Sequence, residues 1–171
     1  MKTLPKIQKI YKAVGVLARI AEYACFLYAI CVLAAAIVAC AAGESSLAGQ
    51  IRAHMNCETQ RQALATLFSD VAFAAANGLL ALYVSRYARA ELADGTPFTT
   101  RGADEMRALG VRAIVLPLAA LLVSAILHKS LAAKPLSDID GGLSAVIGIV
   151  FLLVSLLLRS GAEQAADEGN A

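Results

Sequence analysis

Residues 23–43, YACFLYAICVLAAAIVACAAG, lie between Glu22 and Glu44 and contain no charged side chain. A helix needs roughly 20 mostly apolar residues to cross the hydrocarbon of a bilayer, and this run has that length. With no water inside the bilayer, each backbone N–H and C=O must be satisfied within the segment, so the run is predicted to be a transmembrane helix. Working outward, residues 62–85 carry one charge, Asp70, and the stretches 113–128 and 141–158 carry none. The third stretch is short for a span, but Arg112 and Lys129 can lay their aliphatic stems along the helix and place their charges at the two interfaces. The expected spans are about 23–43, 62–85, 111–129 and 141–159.

Composition agrees. The 171 residues are 59% hydrophobic and 16% charged, and the mean hydropathy is +0.68. A soluble domain has roughly 25% charged residues. The expected fold is therefore an all-α membrane protein, a bundle of four transmembrane helices preceded by a basic segment, 1–22, and followed by a tail, 160–171.

Orientation follows from the basic residues. Lys2, Lys6, Lys9, Lys12 and Arg19 precede the first span, Arg86, Arg89, Arg101, Arg107 and Arg112 stand between the second and third, and Arg159 follows the fourth. Only Arg52, Arg61, Lys129 and Lys134 fall on the other side. The positive-inside bias then places both termini in the cytoplasm, N-in and C-in, in a bacterial inner membrane. A signal peptide fits the start less well, because the apolar run is too long for a signal core. Within the lead-in, Leu4, Ile7, Ile10, Val14 and Leu17 recur at helical spacing and the lysines take the opposite side. That pattern predicts an amphipathic juxtamembrane helix on the anionic inner leaflet that runs into the first span.

The cytoplasmic loop, 86–110, is the most polar internal passage. The second helix should stop at Asp94-Gly95, Gly95 supplying the left-handed turn after the helix end. Pro97 should block continuation, Phe98, a lone aromatic, is expected to tuck back onto the bundle, and Thr99 or Thr100 can cap the next helix. Arg101, Asp104, Glu105 and Arg107 follow in its first turns, where they are either a docking surface or a solvated helix end.

The stretches Gly95-Thr96-Pro97-Phe98 and Arg107-Ala108-Leu109-Gly110, with the closing LLLRSGAEQAADEG, resemble a bacterial family of four-span inner-membrane proteins, the domain-of-unknown-function family 2975. The resemblance in layout covers roughly residues 10 to 168, although the last residues, GNA, depart from the acidic and apolar tail of the family. It implies a membrane partner for a cytoplasmic regulator of the Cro/repressor helix-turn-helix type, since genes of the family often stand beside one. It carries no active site to this chain.

Among side chains with chemistry, Asp70 stands inside the second span, with Thr66 and Asn77 within about 40° of it on a helical wheel. A carboxylate there marks an ion or proton pathway or a polar ligand site, or else belongs to a hydrogen-bonding contact between helices or lies near enough to the outer interface to be wetted. His54, Cys57 and His128 are the weak candidates for metal ligands. Cys40 and Cys57 could pair at the outer face, but no Cys-x-x-Cys spacing occurs. Ala74-x-x-x-Gly78 and Ser144-x-x-x-Gly148 let helices approach closely, and a homo-oligomer is a further arrangement such faces allow. Pro117 should bend the third span. Phosphate-binding loops, nucleophile elbows and His-Glu-x-x-His are absent, so neither an enzyme nor a cofactor is expected. The net charge of +2 is divided between the faces, which argues against direct nucleic-acid binding. Two functions remain: a non-catalytic sensor or tether acting with a cytoplasmic regulator, and a small transporter or channel-like subunit around Asp70. The outer loops are too short for a folded domain, so a ligand would come from the bilayer or from inside.

Overall fold

The computed structural model describes residues 4–42, 46–55, 57–94, 100–131, 149–157 and 159, and among these it is helical with no strand. Helix α1 is Leu4–Ala42, α2 is Ser46–His54, α3 is Gln60–Asp94 and α4 is Thr100–Ser130. Residues 149–157 are also helical, which is the described part of the expected fourth span. Among the described residues three helices are long and apolar enough to cross a membrane, over Gln8–Ala41, Gln60–Ala93 and Arg101–Ser130, with mean hydropathies of 2.6, 1.6 and 2.2.

The start of α3 has a local cause. Thr59 caps α3, its Oγ1 accepting from the Gln62 N–H at 3.2 Å, while Gln62 Oε1 accepts from the Glu58 N–H at 3.2 Å. This satisfies donors that a helix start leaves open. Helix α3 ends at Asp94, immediately before Gly95, and α4 starts at Thr100. Gly95, Pro97 and Phe98 lie outside the described residues, as do Ser144 and Gly148. Helix α4 continues through Pro117, which is buried.

The basic lead-in is continuous with the first span in one 39-residue helix. At about 1.5 Å per residue such a helix is about 58 Å long, nearly twice the roughly 30 Å of hydrocarbon. Ile10, Val14 and Leu17, the apolar face of the lead-in, are exposed, and the packed side is instead Tyr11, Gly15, Ala18 and Glu22.

The chain forms two compact units. Among the described residues, one comprises 4–22, 79–94, 100–116, 149–157 and 159, and the other comprises 23–42, 46–55, 57–78 and 117–131. In the second, Cys25, Ala29, Val32, Ala36 and Ala39 form the packed side of α1, spaced by alternate steps of four and three. Such steps describe a seam at 3.5 residues per turn, the repeat of left-handed helix pairs. The core gathers Val32, Ala36, Ala39 and Leu67, with Leu64, Phe68 and Val71 of α3 and Ile51 of α2 around them. The Gln60 side-chain amide donates to the Ala39 carbonyl at 2.7 Å, tying the start of α3 to the end of α1. Larger side chains such as Leu27, Ile30 and Ile37 are exposed. This inversion of the soluble pattern follows from the solvent: lipid tails are as apolar as leucine, so helices associate where small residues allow close van der Waals contact. Gly78 shows the closest approach, because a Cβ at this position would stand 3.2 Å from Phe26 Cζ.

Buried serines serve the same packing. Ser69 donates to the Ala65 carbonyl at 2.7 Å, Ser85 to Leu82 at 2.9 Å and Ser155 to Leu152 at 2.7 Å. Each hydroxyl is satisfied by its own helix, so the residue packs as a small group without an orphaned donor.

Candidate functional site

One group of polar side chains of the first unit collects where α3 ends and α4 begins. Tyr83, Arg86, Tyr87 and Ala90 lie one helical turn apart on α3; Arg101, Asp104, Glu105, Ala108 and Arg112 do the same on α4. These two stripes, with Leu109, line a crevice of about 720 Å³. Residues at i, i+3, i+4 and i+7 share a helix face, which is why both stripes look into one space.

The arginines are held differently. Arg112 places its guanidinium carbon 4.1 Å from the centroid of the Tyr83 ring. A cation over a ring face is attracted by about 0.5–1 kcal/mol at exposed sites and more where water is excluded. Arg101 donates to Glu105 at 3.1 Å in an i,i+4 pair whose side chains are 70% and 37% exposed. That exposure limits its worth to about 0–0.5 kcal/mol. Arg86 is exposed and makes no ion pair among the described residues.

Behind Tyr87 the unit has a polar interior. Tyr87 meets Tyr11 of α1 edge-on, with centroids 6.2 Å apart and planes at 67°, and the buried Glu91 acts electrostatically on both rings. Two residues before Tyr87 on α3, Ser85 Oγ is 3.4 Å from Glu22 Oε2, and Arg89 Nε donates to the Ser85 carbonyl at 3.2 Å. Gly15 packs against Ala88, where an added Cβ would be 3.4 Å away, and this lets α1 come close to α3.

The expected elbow charges do not act as one patch. Arg101 and Glu105 face the crevice, whereas Arg107 lines a separate cavity of about 280 Å³ with Ser155, Leu156 and Arg159; Asp104 borders both. Sequence reasoning passed over Tyr83, Arg86, Tyr87 and Arg112 as members of this site. The signal was present as the helical spacing of YVSRYARA, which mirrors the spacing of Arg101, Asp104/Glu105, Ala108 and Arg112 across the elbow.

In the second unit, the polar stripe is less gathered than its wheel position suggests. Thr66 Oγ1 donates to the Gln62 carbonyl of its own helix at 3.0 Å, Asp70 is half-buried, and Asn77 is exposed. His54 is exposed, Cys57 Sγ points at the Met55 carbonyl at 3.5 Å, and the buried His128 has Nδ1 2.9 Å from the Ser124 carbonyl. Among the described residues no three His, Cys, Asp or Glu side chains gather as a metal site. All four cysteines are free thiols, Cys40 and Cys57 included.

Helical throughout the described elements, with three helices long and apolar enough to cross a membrane, the chain has the features of a multi-pass membrane protein with a polar crevice where α3 ends and α4 begins. No family model, curated protein or solved structure matches the chain.

Proposed function

We propose that the protein is a four-span, N-in and C-in component of the bacterial cytoplasmic membrane, and that it is a non-catalytic sensor or tether for a soluble cytoplasmic regulator. The observation that carries this reading is the crevice between α3 and α4, where three arginines, two carboxylates and two tyrosines meet at the end of the helices that the distribution of basic residues assigns to the cytoplasm. Arginine and aromatic side chains carry much of the binding energy at recognition surfaces, and Arg112 is already held over the Tyr83 ring, so less of its freedom is lost on binding. The resemblance at Gly95-Thr96-Pro97-Phe98 and Arg107-Ala108-Leu109-Gly110 favours a regulator of the helix-turn-helix type. A transporter built around Asp70 has less support, since Thr66 is bonded within α3 and Asn77 is turned to the surface.

The orientation is tested by thiol labelling on a cysteine-free background. Ala53→Cys should react from outside intact cells and Arg101→Cys only after permeabilisation; the reverse would remove the cytoplasmic assignment. The tether is tested by purification from native membranes with Arg101, Asp104, Glu105 and Arg107 reversed in charge. Loss of a soluble regulator from a bundle that stays folded supports docking. Recovery of the same regulator from both proteins reduces the elbow to a structural turn.

A further inference from the structure

The crevice is amphiphilic along the helix axes. Ala90 and Arg101 line it together, as do Tyr83 and Arg112, so α3 and α4 run antiparallel past it. One turn beyond Tyr83 the α3 stripe continues into Leu79 and Leu80, and one turn beyond Arg112 the α4 stripe continues into Val115, which is 52% exposed. Val111, beside Arg112, is exposed as well. A cationic recess thus opens directly onto an apolar surface that belongs to two candidate spans. A soluble anion would use only the first part of that surface; a phospholipid, with an anionic head joined to acyl chains, matches both.

We propose that the crevice holds the phosphate of an anionic phospholipid, with Arg86 and Arg112 as its ligands and the acyl chains along Leu79, Leu80 and Val115. Two guanidiniums supply planar, doubly donating contacts that suit a phosphate. The Tyr83 ring fixes Arg112 in place, which lowers the entropy lost when the phosphate binds. The Arg101–Glu105 pair contributes no net charge to the recess, and Asp104 at its border disfavours occupants of high negative charge. A singly charged phosphodiester is therefore the better occupant. This deepens the sensor reading by naming what is sensed, and it rests on that reading only for the leaflet involved, which thiol labelling of Arg101→Cys decides independently.

The test is native mass spectrometry of the full chain, titrated with phosphatidylglycerol and separately with phosphatidylcholine. Wild type should retain phosphatidylglycerol at least about tenfold more tightly, and Arg86→Gln and Arg112→Gln should each lose most of that preference. Arg61→Gln, at an exposed arginine of the other unit, should keep it. Arg86 has no ion pair to lose among the described residues, so Arg86→Gln reads binding without a folding cost, which helical circular dichroism verifies. Equal retention of the two lipids, equal loss in Arg61→Gln, or displacement of the lipid by millimolar inorganic phosphate would overturn the proposal. The last outcome would assign the recess to a free anion.

Discussion

Enlarging Gly78 tests the packing of α1 against α3 in the second unit most directly. An added Cβ would stand 3.2 Å from Phe26 Cζ and 3.3 Å from Cε1 and Cε2. Optimal carbon–carbon separation is about 3.5–4.0 Å, so the ring must retreat by roughly 0.3 Å for a single methyl. Gly78→Ala should be close to neutral, because alanine recovers up to about 1 kcal/mol of helix propensity and that offsets the displacement. Gly78→Leu adds three more carbons where the ring sits, and overpacking of this kind costs about 1–3 kcal/mol. For a chain of this size that lowers the melting temperature by roughly 2–12 °C. Phe26→Ala alone should cost about 1–3 kcal/mol, less than a fully buried ring would, because Phe26 is half-buried. In the double variant the leucine enters the space the ring vacates, so the two losses should fall short of additivity by at least about 1 kcal/mol. Thermal unfolding in detergent micelles, followed by circular dichroism, measures the four variants against wild type. A Gly78→Leu variant that melts with wild type, or a double variant whose losses simply add, would refute the contact.

Other expectations are more local. Thr59→Ala removes the α3 cap and should cost about 1 kcal/mol, read as a shift in the same melt. Ala36→Leu, at a position with no exposure, should destabilise by about 1–3 kcal/mol, whereas a leucine at exposed Cys31 should be nearly silent. A double-mutant cycle of Arg101→Ala and Glu105→Ala should give a coupling of about 0.5 kcal/mol or less that vanishes in high salt. Asp70→Asn should leave stability within about 1 kcal/mol of wild type, since the amide keeps hydrogen-bonding capacity without a charge in the span. Lost flux with normal expression would revive a transport role, and a large drop in melting temperature would reveal a structural ion pair.

The helical class of this chain, its length of apolar helix and the ends of α3 and α4 were determined by the sequence on its own. Each depends on local physics: an uncharged run long enough for the bilayer, an Asp94-Gly95 stop for α3 and a Thr99 or Thr100 start for α4. Which side of each helix packs was decided only by the tertiary structure. In α1 nearly every side chain is apolar, so hydrophobic periodicity does not separate a seam of Ala29, Val32, Ala36 and Ala39 from the exposed Leu27, Ile30 and Ile37. Lipid solvates both faces equally well, and close approach selects the small one. The candidate site divides in the same way. That charges cluster at the elbow was legible as composition, but their sharing out was not. Arg101 and Glu105 join Arg86 and Arg112 in one crevice, and Arg107 turns to another cavity, because rotation about the α4 axis separates residues that are neighbours in the chain. Asp70 shows the converse: Thr66 and Asn77 share its side of a helical wheel, yet the backbone carbonyl of Gln62 takes the Thr66 hydroxyl and Asn77 reaches the surface. A wheel records direction from one axis, and a site needs side chains from several axes to converge.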